Sequence, residues 1–164
     1  MASYATTDEF KAMIDTSVTD VADDTFITKL LAAASHYIDV YTGRTYTART
    51  ETRKFDTPTG EKLYLDDDLL TVTSITNGAS GALTAGTYVL LPTNLSPKHS
   101  IKLKTGSWDY DASGYEEEAI SVAGTWGYST TCPDDIRQAC LSISLNWYRK
   151  RYGGGTDGAA VLTA

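Results

Sequence analysis

The side chains that could carry chemistry are few and scattered. His36 and His99 are the only histidines, and no Cys or carboxylate stands at a metal-ligand spacing from either. Each is expected to be structural or exposed. Cys132 and Cys140 lie eight apart, which on one helix is about 12 Å, too far for a disulfide. With no histidine placed to activate them, they do not read as nucleophiles. Asp66-Asp67-Asp68 clusters carboxylates as calcium loops do, but lacks their alternating spacing, the glycine and the distal Glu. It reads as a charged hairpin turn that keeps a sheet edge soluble. Glu116-Glu117-Glu118 reads as a solvated turn. The glycines at 78, 81 and 86 form no phosphate loop, and GxxxxGK[ST], GxGxxG and GxSxG are all missing. No catalytic residue, cofactor or metal is expected, and an enzyme is not the reading.

The elements that hold these residues form helices at both ends of the chain, with strands between. Thr7 is placed to cap a first helix, with Asp8 and Glu9 in its first turn and Phe10, Met13 and Ile14 on one face. Asp15-Thr16-Ser17 ends it. Asp23 or Asp24 opens a second helix, which Gly43 closes. Its stripe is Phe26, Ile27, Leu30, Leu31, Ala34, Tyr37, Ile38 and Tyr41.

Strands are expected at Thr50–Phe55, Lys62–Leu65, Leu70–Thr76, Tyr88–Leu91, Ser100–Leu103 and Ala119–Trp126. Turn chemistry separates them, with Asn77-Gly78 as a hairpin signal because both residues tolerate positive φ. The expected product is a small antiparallel sheet with one wet face. His99 falls in a Ser-Pro-Lys-His turn. A third helix opens at Cys132-Pro133-Asp134-Asp135, with Pro133 in the first turn. Ile136, Ala139, Cys140, Ile143 and Trp147 make its core stripe, which Leu141, Leu145 and Tyr148 widen. A helix apolar over that much of its surface packs on two neighbours or on another chain. Gly153-Gly154-Gly155 stops it, and residues 153–164, poor in apolar groups, are expected to be flexible in the isolated protein. The fold class is therefore α+β. One domain is expected, helical over 7–43, β-rich over 44–131, helical over 132–152, with a tail over 153–164.

Composition excludes more than it assigns. The chain has 164 residues, a net charge of −7 and 41% hydrophobic residues, ordinary for a globular domain. No apolar run is long enough to span a membrane. Met1-Ala2-Ser3-Tyr4 carries no basic start or apolar stretch, so no secretory signal is expected. The acidic balance argues against duplex binding through phosphate contacts. Residues 1–43 carry −5, residues 44–131 carry −3 and residues 132–164 carry +1, so Arg149-Lys150-Arg151 makes the only basic end. Eleven Tyr and three Trp fit either an interface or a strand-rich core.

Several ordered segments resemble the tailed-phage head–tail connector family, also called adaptor or head-completion proteins. They are Ala34-Ser35-His36-Tyr37-Ile38-Asp39-Val40-Tyr41-Thr42-Gly43-Arg44, Leu65-Asp66-Asp67-Asp68-Leu69-Leu70-Thr71-Val72-Thr73-Ser74-Ile75, Tyr88-Val89-Leu90-Leu91-Pro92, Trp126-Gly127-Tyr128 and Pro133-Asp134-Asp135-Ile136. The resemblance implies a non-enzymatic virion protein, made in the bacterial host cytoplasm. It implies a ring of about a dozen copies beneath the portal at the capsid vertex. That ring extends the DNA channel, passes the genome without sequence-specific binding, and offers a surface to the next neck or tail protein, a stopper. It also implies a helical core with a variable segment inserted between helices two and three, and a C-terminal end that reaches the portal. Carried onto this chain, Arg149, Lys150, Arg151, Tyr152, Gly153, Gly154 and Gly155 become portal-docking candidates. Tyr37, Tyr41, Leu141, Leu145, Trp147 and Tyr148 are candidates for the core or for contacts between subunits. Two alternatives stay open: another neck or tail-completion module such as a stopper or tail terminator, and a small enzyme with an unrecognised site.

Overall fold

The computed structural model describes residues 3–14 and 23–152. The fold is α+β, with three helices and a five-stranded antiparallel sheet lying in sequence between the second and third helix. The chain divides into two compact units, Arg44–Thr131 and the flanking segments Met1–Gly43 with Cys132–Ala164. Among the described residues, no helix is long and apolar enough to cross a membrane.

In the flanking unit, α1 spans Thr7–Ile14. Its cap is Thr6 rather than Thr7. The Glu9 N–H donates to Thr6 Oγ1 at 3.2 Å, and the Thr6 N–H donates to Glu9 Oε2 at 2.8 Å. This reciprocal pair needs Glu three positions after the cap, which Thr6 has and Thr7 does not. Phe10 is fully buried, whereas Ile14 is exposed. Lys11 is buried beside it and pairs with Asp24 at 2.5 Å. The expected break at Asp15-Thr16-Ser17 lies outside the described residues.

Helix α2 covers Asp24–Thr42, and Gly43 closes it at φ +66° with its N–H donating to Asp39 O. The buried line is Ile27, Leu31, Ala34, Ser35 and Ile38. Tyr37 and Tyr41 belong to the expected stripe, yet they are exposed, at 51% and 80%. Tyr37 lies one residue, about 100° of helix turn, from buried Ile38, and Tyr41 lies in the last turn of α2, where the buried line has already ended at Ile38. Helix α3 covers Asp134–Tyr152. Pro133 sits just before it, its carbonyl accepting the Arg137 N–H at 2.9 Å, so Pro133 is the cap and not the first turn. The buried positions of α3 are Cys140, Leu141 and Ser144, while Ile136, Ala139, Ile143 and Trp147 are only half-buried. The small side chains decide this. Ser35 Oγ accepts the Tyr4 N–H, donates to Leu31 O and touches Cys140 Sγ at 3.5 Å. Small residues on the facing helices let their backbones come close, so the seam follows them rather than the bulkiest residues.

The sheet unit holds β1 (Arg49–Phe55), β2 (Lys62–Asn77), β3 (Tyr88–Leu91), β4 (Lys98–Leu103) and β5 (Ile120–Trp126), in the order β1-β5-β2-β4-β3. Two differences from expectation matter. First, β2 is one strand of 16 residues, and Asp66-Asp67-Asp68 lies inside it instead of forming a turn. The register with β4 shifts between Tyr64 and Leu69, where the carboxylates pass. They run beyond the end of β5, whose Trp126 pairs with Leu69. Second, His99 belongs to β4 and not to a turn.

Leu63, Leu69, Ile75, Ile101, Leu103, Trp108, Ile120, Val122 and Trp126 form one core. Thr50, Thr52, Thr71, Thr73 and Thr76 are exposed on their strands, giving the sheet a wet side. At Asn77-Gly78 only Gly78 takes positive φ, at +48°, and the reversal runs through a 3₁₀ turn at Gly78–Ser80 rather than a two-residue hairpin. Asn77 is buried, donating to Ser107 O and accepting the Asp109 N–H. A Cβ on Gly78 would stand 2.1 Å from Tyr110 O. The ends of this unit meet: the Tyr128 N–H donates to Thr45 O at 2.9 Å, and the Arg44 guanidinium lies 5.7 Å from the Tyr128 ring centre.

Candidate functional site

Two surfaces concentrate functional side chains, one in each unit. In the sheet unit, alternation along β1 puts Arg49, Glu51 and Arg53 on the face that carries Trp126 and Val122. Arg53 donates to Glu51 at 2.6 Å, Asp66 at 2.7 Å and Asp67 at 3.0 Å, and its guanidinium lies 4.9 Å from the Trp126 ring centre. Arg49 reaches Asp67 at 2.6 Å and Glu51 at 3.2 Å. Burial alone would raise the Glu51 pKa, but the hydrogen bond from Arg53 and the charges of Arg49 and Arg53 outweigh it and hold the carboxyl below the usual range. Burial likewise opposes the Arg53 charge, and its hydrogen bonds to Glu51 and Asp66 reverse that. Asp68 is buried, with His99 Nδ1 at 3.3 Å and Arg44 Nε at 3.7 Å.

These carboxylates are engaged by guanidinium groups, which leaves them poor candidates for general base or metal ligand. Among the described residues no cluster of three His, Cys, Asp or Glu is arranged to hold a metal ion. The groove beside Asn77, Leu83, Thr87, Leu103 and Ser107 has no ionisable side chain in its lining. His36 is exposed on α2. Both cysteines are free and buried. Burial pushes the Cys132 thiol up to about 11 and raises that of Cys140 as well, so both are protonated at neutral pH.

In the helical unit, the exposed C-terminal half of α2 carries Tyr37, Val40 and Tyr41. Tyr37 stacks on Tyr41 at 6.2 Å, and Trp147 of α3 meets Tyr37 edge-on at 6.1 Å. The result is an aromatic row open to solvent. Lys150 lies one turn beyond Trp147 and is exposed, as is Arg149. Arg151 lies over the Phe26 ring at 3.9 Å. Tyr152 is the last residue of α3, and Gly153, Gly154 and Gly155 lie outside the described residues. Of the remaining candidates, Leu141 is buried and Leu145 is half-buried. Tyr148 packs edge-on against Phe10 at 5.5 Å and donates to Asp23 Oδ2 at 3.0 Å. The structure thus gathers Tyr37, Tyr41 and Trp147 and assigns Leu141 and Tyr148 to packing.

One feature escapes sequence reasoning. The loop before β5 exposes Tyr110, Tyr115, Glu116 and Glu117, and it is tightly built. Asp111 Oδ1 accepts the Ser113 and Tyr115 N–H groups, both at 2.8 Å. Glu118 has φ +53°, its N–H donates to Asp56 and its carboxylate pairs with Lys54 at 2.7 Å. Tyr110 and Tyr115, both just before the acidic run, are the available signal.

Residues 4–161 match the head completion protein family. Three solved structures share the fold. A chain in the neck of an empty GTA particle, computed with C6 symmetry, gives a TM-score of 0.65 at 20% identity, over 91% of this chain and 80% of that one. A chain in the virion of a native gene transfer agent (GTA) particle gives 0.62 at 20% identity, with the same two coverages of 91% and 80%. A chain in the neck of a native GTA particle, computed with C12 symmetry, gives 0.60 at 21% identity, over 94% of this chain and 80% of that one. No curated protein sequence matches the chain.

Proposed function

The chain belongs to the head completion protein family, and from that premise we propose that it is a structural protein of the head–tail neck of a phage-like particle. In this reading it is an adaptor subunit. Copies assemble as a ring under the portal at the capsid vertex, extend the DNA channel and present a surface to the next neck protein. The observation that carries the reading is the aromatic row of Tyr41, Tyr37 and Trp147. A protein acting alone gains nothing by leaving such side chains in water, whereas an assembly buries them. The paired carboxylates of the sheet fit the same reading, since they stiffen a scaffold and present no open reactive group. Arg149, Arg151 and Tyr152 at the end of α3, with Gly153, Gly154, Gly155 and the rest of the tail, are the portal-docking element. The net charge of −7 suits a channel that passes DNA without holding it.

Electron microscopy of the purified protein with and without portal tests this. Rings seated on portals are the expected result. A strictly monomeric protein that never joins portal would overturn it. Deleting residues 153–164 is expected to leave melting unchanged and to abolish portal docking. Unchanged docking would remove the tail from that role.

A further inference from the structure

We infer that the aromatic face of α2 and α3 is covered by a second copy of this chain, through that copy's loop Tyr110–Glu118; the inference rests on the ring reading above. Charge and shape select this occupant. The face offers Tyr37, Tyr41 and Trp147, with exposed Lys150 one turn beyond Trp147 at its border. The loop offers the complement, with exposed Tyr110 and Tyr115 beside the exposed carboxylates of Glu116 and Glu117. Lys54 already occupies Glu118, which leaves Glu116 and Glu117 as the carboxylates the loop presents.

The loop is preorganised for docking. Asp111 accepts two backbone N–H groups across it, and the Thr57 N–H donates to Glu116 O at 2.8 Å. Glu118 holds a left-handed backbone conformation that a non-glycine residue rarely adopts, and Asp56 fixes it there. A loop ordered before binding loses less entropy on contact. Because loop and face are different surfaces of one chain, the contact is head-to-tail, the kind that closes into a ring when the rotation permits. Aromatic side chains supply the buried centre of such a contact, and the charges at its border set its register and partner choice.

Charge reversal on both sides tests the pairing. The variants are Glu116→Lys with Glu117→Lys, Lys150→Glu, and all three substitutions together, read by sedimentation velocity and microscopy with and without portal. Reversal of either side alone is expected to weaken self-association at least tenfold, and the combination is expected to restore it. Restoration also shows that the altered chains fold. Full ring formation with either side reversed would overturn this interface and leave the ring reading standing. Loss in both without rescue would overturn the pairing. Normal rings that no longer bind portal would give the face to the portal instead. Failure of the unaltered protein to form any ring, with or without portal, would overturn the ring reading itself.

Discussion

Trp126 and Trp147 carry the same side chain into opposite environments. Trp126 is fully buried, with Phe55 stacked at 6.0 Å and its Nε1–H donating to Glu51 O at 3.2 Å. Trp126→Ala is expected to cost about 3–5 kcal/mol in a urea titration, as for other large core truncations. Trp147 is half-buried beside exposed Tyr37. Trp147→Ala should move the monomer's stability by about 1 kcal/mol or less, and show its main effect in self-association. Glu51 gives a pH test. Its folded pKa is depressed below 4.5, so it stabilises the fold above that value and loses the contribution as pH falls through the folded pKa. Glu51→Gln is expected to flatten the acid limb of the melting profile below about pH 4.5. A limb as steep as in the unaltered protein would place the acid sensitivity elsewhere. The two thiols, protonated in the fold, should resist alkylation until the chain unfolds, which iodoacetamide labelling across a urea series would show.

Individual elements make sharper demands on backbone than on side chains. Thr6→Ala removes one half of the reciprocal cap on α1 and is expected to cost about 1 kcal/mol. Gly124 in β5 faces Thr71 of the neighbouring strand, and an added Cβ would stand 2.1 Å from its carbonyl. Gly124→Ala should therefore lose about 1–3 kcal/mol or shift the register of β5 on β2, visible in amide exchange of Val72 and Ser74. Local pattern made α2, β1, β3 and β5 legible, because caps, periodicity and turn residues all act within a few positions. It failed at Asp66-Asp67-Asp68. Three carboxylates usually mark a turn because water is their best partner. Here Arg49 and Arg53, from a strand 13 or more residues upstream, outcompete water, and no local rule sees them. Trp147 is half-buried for a related reason. Its spacing fits a core stripe, but Ser35 and Cys140 bring the helices together along a different line. The candidate site was half legible: Tyr37, Tyr41 and Trp147 stood out as aromatic, and Glu116-Glu117-Glu118 is exposed as expected, but the order of the loop from Tyr110 to Glu118 was not legible because it comes from Asp56 and Lys54 far away in sequence.

At the scale of the whole molecule, charge is divided by role. Much of the acidity of residues 44–131 is neutralised within the sheet by Arg44, Arg49, Arg53 and Lys54, and the exposed remainder includes Glu116 and Glu117. Assembly driven by such border charges is expected to weaken as ionic strength rises, while melting of the monomer changes little. Mass photometry and calorimetry over a salt series would separate the two, and rings indifferent to salt would assign assembly to the aromatic row alone. The closure of the sheet unit on itself has a different consequence. Because the Tyr128 N–H donates to Thr45 O and Arg44 lies over the Tyr128 ring, the two ends of the sheet unit are held side by side. Such a cassette can be exchanged for another of different size at little entropic cost, since the spacing of its ends is already set. Natural variation and deliberate grafting alike can then alter the sheet unit while the helical segments are left as they are.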